Sequence, residues 1–142
     1  MDLARLIELV HRHAHRQWAM QGGASGVSHS EFEYLRSIRE QEARKTDRHD
    51  HGQHLQDVVD EMGVRKASAS AMVVKLEERG LVTRIPCQYD ARAQHILLTE
   101  AGIDMLRRGE TVYAAAARTL LDSLSDTERR KLDAVFDGPA PA

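Results

Sequence analysis

Three groups of residues in this chain have types and spacings that could do chemistry. Asp47, His49, Asp50, His51 and His54 crowd within eight positions, and carboxylate and imidazole at that density can hold a divalent ion such as zinc. None of these histidines stands four residues from another, so the i, i+4 pair of a helical zinc site is missing, and a polar insertion at a loop tip needs no ligand. His11 and His15 do stand at i, i+4 and could share a ligand or metal, whereas His13 falls elsewhere on the same helix. The third group is cationic and small: Arg65, Lys66, Ser68, Ser70, Ala71 and Lys75, followed by Arg84, Gln88, Asp90 and Arg92. A helix face with these residues and no bulky apolar side chain can lie close to a polyanion, offering hydroxyls and cations to it. Cys87 is the single cysteine, so an intramolecular disulfide is excluded. With no basic neighbour close in sequence, it reads as an inert small residue rather than a redox centre.

Enzyme classes find little support. There is no Gly-rich phosphate loop after a strand, no nucleophile elbow and no His-Glu helix motif of a zinc hydrolase. A metal enzyme built from residues 47 to 54 and the amino-terminal histidines would draw on polar loops rather than on a cleft. A chain of 142 residues fits one domain with a sizeable core, and only 4% aromatic residues beside plentiful Ala, Leu and Val favour helices. No run of about 18 or more apolar residues and no charged-then-apolar leader occurs, so the expected setting is the reducing cytoplasm with no membrane partner. The net charge of −2 divides unevenly, because six cations meet three carboxylates between Gly63 and His95 and leave the remainder acidic. Phosphate contact needs local rather than net charge. Taken alone, the same excess suits an ordinary solvated surface.

The elements that must position these groups follow from hydrophobic spacing. Leu3, Leu6, Ile7, Val10, Ala14 and Trp18 form a stripe about 120° wide, which predicts a first helix with one apolar face. Gln21 to Gly26 end it. Ser28 with Glu31 makes a capping box and Val27 is placed to staple onto Phe32, so a second helix starts near Ser28 and buries Phe32, Leu35 and Ile38. After a polar stretch from Glu40 to Gln53, Leu55, Val58, Val59 and Met62 recur at i, i+3, i+4, i+7, and so do Ala69, Met72, Val73 and Leu76. These are two short helices hinged at Gly63, the second stopped by Gly80. Leu81 to Ile85 and Gln94 to Leu98 are β-prone with a turn-like segment between, predicting a hairpin with Arg92 near its tip. Helix-turn-helix plus hairpin is a winged helix, although the two helices alone also fit an ordinary helical hairpin. Thr99 then caps a long helix through Ile103, Leu106, Tyr113, Ala117, Leu120 and Leu124, with Gly109 inside it at a cost of ~1 kcal/mol against Ala. Ser125 with Glu128 starts a last helix, expected to be buried through Leu132, Val135 and Phe136. One winged lobe cannot cover all these outer faces, so a second copy is expected against them.

Three pieces of the sequence carry a family resemblance. The run Leu76-Glu77-Glu78-Arg79-Gly80-Leu81-Val82-Thr83-Arg84, then Asp90-Ala91-Arg92, then Leu98-Thr99-Glu100-Ala101-Gly102 resembles the core signature of the MarR family of bacterial transcriptional regulators. The pieces come in the family's order and at its separations, with close matching over 58–102 and element order over 28–136. The resemblance implies a mainly α winged helix-turn-helix with a small β-wing, in which 1–27 and 103–142 are dimerisation helices and 28–102 is the DNA-binding lobe. It implies a homodimeric repressor on a pseudo-palindromic double-stranded DNA operator, relieved by a small-molecule effector, with no required cofactor and no enzyme activity. Two recognition helices would then lie about one DNA turn, roughly 34 Å, apart.

Carried over residue by residue, the resemblance implies that Lys66, Ser68, Ser70 and Ala71 face the groove, with Lys75 nearer the backbone and Arg65 at a helix N-terminus that also draws phosphate. The match to Asp-x-Arg implies that Arg92 enters the minor groove and Asp90 orients the turn, with Arg84 and Gln88 beside them. The family's effector cleft would draw on the first, second and fifth helices, making His11, His15, Trp18, Tyr34 and Arg36 candidate liners. Three departures stand out: the polar stretch before the helix-turn-helix is long, His54 replaces the usual hydroxyl cap, and Arg65 replaces a Ser or Asp cap. Two alternatives remain open, a zinc-responsive regulator using His49, His51 and His54, and a helical protein-interaction module.

Overall fold

A computed structural model of the chain describes residues 1–43, 54–87 and 92–136. The order is α1 (Leu3–Ser25), α2 (His29–Ala43), α3 (Leu55–Met62), α4 (Lys66–Glu78), β1 (Val82–Pro86), β2 (Gln94–Leu98), α5 (Glu100–Ser123) and α6 (Asp126–Asp133). They fall into two compact units, Met1–Ser28 with Arg108–Ala142, and His29–Arg107, so the division runs through α5.

The unit His29–Arg107 is built on the apolar spacing. Phe32, Leu35 and Ile38 of α2, Val58 of α3, and Ala69, Val73 and Leu76 of α4 are all buried. Leu55, Val59 and Met62 are only half-buried, as suits a two-turn helix at the rim of a core. Gly63 turns the chain between α3 and α4 at φ 63°, and its N–H donates to the Val59 carbonyl at 2.9 Å. At the far end of α4, Gly80 takes φ 73°. Its N–H donates to Glu77 and the Leu81 N–H to Leu76, both at 2.9 Å, a Schellman stop in which buried Leu76 and Leu81 supply the apolar pair.

The wing grows directly from that stop. β1 and β2 pair antiparallel with Val82 opposite Leu98, Arg84 opposite Ile96 and Pro86 opposite Gln94. The chain then re-enters a helix beside the root of the wing. Thr99 caps α5, accepting from the Gly102 N–H at 3.0 Å while its hydroxyl donates to the Gly80 carbonyl at 2.7 Å and its own N–H to Leu81 at 3.1 Å. A Cβ at buried Gly102 would stand 2.0 Å from the Leu81 oxygen, so only glycine permits this approach. A charge pair adds to the lobe: the Arg79 guanidinium at the end of α4 donates to the buried carboxylate of Glu31 on α2.

In the other unit, α1 starts at Asp2, whose carboxylate accepts the Arg5 N–H at 2.8 Å. Trp18 is buried edge-on to Tyr113 of α5, ring centroids 5.9 Å apart, and His13 Nδ1 meets Thr119 Oγ1 at 2.9 Å. The rest of the α1 stripe, which a second copy was expected to cover, is largely open in the single chain. Leu3 is 70% and Ile7 59% exposed, and Val10 is exposed as well. The same holds at the other end of the chain, where α6 stops at Asp133 and leaves Val135 74% and Phe136 65% exposed. Apolar periodicity reports an amphipathic helix, not which chain covers it. The Ser125–Glu128 capping box is present in full, with both bonds made.

Candidate nucleic-acid interface

The geometry of α4 separates two faces. Ala69, Val73 and Leu76 are wholly buried, while Arg65, Lys66, Ala67, Ser68, Ala71, Val74 and Lys75 are exposed and Ser70 is half-buried. Turning about 100° per residue puts Ala71 near the middle of the open face, Ser68 and Lys75 on one flank and Ser70 on the other. Small side chains in the middle and cations at the margins leave the helix slim where it is open. Arg65 occupies the N-cap with φ −74° and ψ 142° and makes no side-chain cap bond, and the first turn holds no acidic residue. The partial positive charge of that helix end is therefore not offset by a carboxylate of its own first turn. Val74, which apolar spacing had not singled out, adds a second methyl-bearing group to the open face.

On the wing, Arg92 is exposed, and it is the first described residue after 88–91. Gln88 and Asp90 lie outside the described residues. Arg84 differs from the expectation of a groove contact: it is half-buried, with Nε 3.5 Å from Glu77 Oε2, and so turns back toward the end of α4. A strand residue facing the preceding helix finds a carboxylate there, which the linear order of residues did not reveal.

The candidate effector liners divide between the two units. His11 and His15 are exposed on α1 with stacked rings 6.3 Å apart, and Trp18 is buried in that unit. In the other, Tyr34 is buried, which pushes its phenol above the usual range by desolvation, and Arg36 lies 5.3 Å over the Phe32 ring. Of the metal candidates, His49 and His51 lie outside the described residues. His54 is the N-cap of α3, and the Asp57 carboxylate accepts its backbone N–H at 3.0 Å. His54 does gain company that linear spacing missed: Cys87 and His95 stand beside it at the base of the wing. The one available sign was a histidine set inside a β-prone run.

Comparison with known proteins agrees with this geometry. The sequence model of the MarR family matches residues 25–93. Over 95% of this chain and 94% of the other, the fold superposes on wild-type apo MarR from E. coli with a TM-score of 0.73 at 20% identity. MepR from S. aureus, seen in a DNA complex, matches at TM-score 0.68 and 16% identity over 95% of this chain and 93% of that one. Bordetella bronchiseptica BpsR, whose DNA binding is regulated by 6-hydroxynicotinic acid, matches at 0.65 and 16% over 94% and 89%.

Proposed function

Because the chain belongs to the MarR family, we propose that it is a DNA-binding transcriptional regulator, a cytoplasmic homodimer that represses from a pseudo-palindromic operator and lets go when a small molecule binds. The observation that carries the proposal is the open face of α4, slim at Ala71, hydroxylic at Ser68 and Ser70, edged by Lys66 and Lys75, and held outward by a fully buried opposite face. In the major groove that face meets base edges, Arg65 and Lys75 meet phosphates, and Arg92 follows the adjacent minor groove. Gln88 and Asp90 belong to the same wing tip in this proposal. The exposed apolar residues Leu3, Ile7, Val10, Val135 and Phe136 support a second copy, since their burial would stabilise a dimer by about 25 cal/mol per Å² covered.

Regulation of BpsR by a small aromatic acid supports an effector here, with His11, His15, Trp18, Tyr34 and Arg36 as its candidate contacts. No described helix is long and apolar enough to cross a membrane.

The test is binding of duplex DNA from the flanking intergenic region across a salt series. Tight binding by a dimer is expected, and Arg92→Ala, which takes one cation out of the minor groove, should lower affinity and reduce the salt slope by up to about 0.9. Affinity indifferent to salt, together with an Arg92→Ala variant that binds as the parent does, would remove the proposal.

A further inference from the structure

We propose that His54, Cys87 and His95 form a three-ligand site for a borderline transition-metal ion, zinc(II) first, with the fourth position left to water or a small ligand. The three come from the N-cap of α3, the residue after β1 and the second residue of β2, and one donor atom from each lies within 4.8 Å of the other two. Cys87 and His95 are each 6% exposed. The imidazoles of His54 and His95 meet edge-on with centroids 4.6 Å apart. Zinc bond lengths of about 2.0–2.3 Å put donors of one tetrahedral ion roughly 3.3–3.8 Å apart, so side-chain rotations of about 1 Å close the set. One thiolate and two imidazoles suit zinc with an open position, or copper. On binding, the Cys87 thiol gives its proton to solvent and coordinates as thiolate.

The surroundings favour a site over chance proximity. Asp57 Oδ2, which accepts the His54 N–H, also lies 3.6 Å from ring Nδ1 of His54. That carboxylate lies just beyond hydrogen-bond distance; a small ring rotation would let it accept from Nδ1 and present Nε2 to the ion, the usual support behind a metal-bound histidine. The wing ladder fixes the other two ligands, since the Cys87 N–H donates to Ala93 at 3.1 Å just beyond the Pro86–Gln94 pair. An ion held this way ties α3 to both strands of the wing. That it thereby alters operator affinity rests on the proposed function; the site itself does not.

The full-length chain, reduced and stripped of metal, is titrated with cobalt(II) as an optical stand-in and then with zinc(II). One equivalent per chain is expected, with thiolate-to-cobalt charge transfer that zinc displaces. Cys87→Ser should abolish that band, Asp57→Asn should weaken binding by about tenfold, and His54→Gln by about 100-fold or more. A double variant, His49→Gln with His51→Gln, should keep the band. If Cys87→Ser does not fold by circular dichroism, zinc protection of the parent's thiol from a maleimide decides instead. A parent without the band and without thiol protection at saturating metal overturns the site, as does a band that survives Cys87→Ser. Zinc should also change operator Kd by about tenfold in the parent alone. Unchanged Kd with an intact band removes the regulatory step, while no DNA binding at all with an intact band sinks the proposed function and not the site.

Discussion

Gly102→Ala has a sign that the structure sets against simple expectation. Inside a helix the exchange ordinarily stabilises by ~1 kcal/mol. Here the new Cβ would stand 2.0 Å from the Leu81 oxygen and 3.1 Å from its carbonyl carbon. Carbon and oxygen approach no closer than about 3.3 Å, so the carbonyl must retreat by over ~1 Å. That carbonyl accepts the Thr99 N–H at 3.1 Å, and a shift of that size loses the bond. Overpacking costs about 1–3 kcal/mol and the stranded bond about 1–3 more, so the net effect after the propensity gain is destabilisation by roughly 3 kcal/mol. At about 2–4 °C per kcal/mol for a chain of this size, the melting temperature should fall by about 6–12 °C. Thermal melts by circular dichroism at fixed concentration check this, with Gly23→Ala as the control, since nothing lies within 4 Å of a Cβ there. The control should be neutral or up to ~1 kcal/mol more stable. A Gly102→Ala protein that melts at or above the parent would refute the reasoning.

Other substitutions and conditions have equally definite outcomes. Arg79→Ala removes the cation beside the buried Glu31 carboxylate; because the Arg79 side chain is 34% exposed, the cost in denaturant melts should be about 2–3 kcal/mol, below the ~3–5 of a fully buried pair. Adding Glu31→Gln should restore part of it. The Glu128 carboxyl is held below its usual range first by the Ser125 backbone N–H and then by the Ser125 hydroxyl. Its folded pKa is depressed, so it stabilises above the unfolded value of about 4.3 and the benefit fades as pH falls through the folded pKa. The gap in melting temperature between parent and Glu128→Gln should accordingly close in acid. For Tyr34 the phenol is raised by burial, so the unfolded chain ionises first and stability should fall as pH rises past about 10, a fall that Tyr34→Phe abolishes.

What could be read without coordinates was what is local. Gly63, Gly80, Thr99 and the Ser125–Glu128 box mark real turns and caps because their bonds span only a few residues. The open face of α4 was legible for the same reason: Ala69, Val73 and Leu76 name the buried side, and the remainder follows by rotation. Gly102 was recognisable only as part of a motif, and its physical cause is the Leu81 carbonyl in the turn between α4 and β1. Contacts between distant segments were hidden. Arg84 meets Glu77, Arg79 meets Glu31, and a hairpin register brings Cys87 and His95 to His54. The α1 stripe was legible as amphipathic, and its exposed residues are ones a second copy was expected to cover; no count of apolar residues says how many chains will share the burial.

The Glu31–Arg79 pair also orders events during synthesis. The cation lies 48 residues downstream of the carboxylate, an interval of about 2–10 s at roughly 5–20 residues per second. Until the end of α4 leaves the ribosome, α2 carries an ionised group on the side it must later bury, and sealing that side early would cost several kcal/mol. Closing the lobe around that side of α2 is therefore least costly once the last turn of α4 has arrived with its cation.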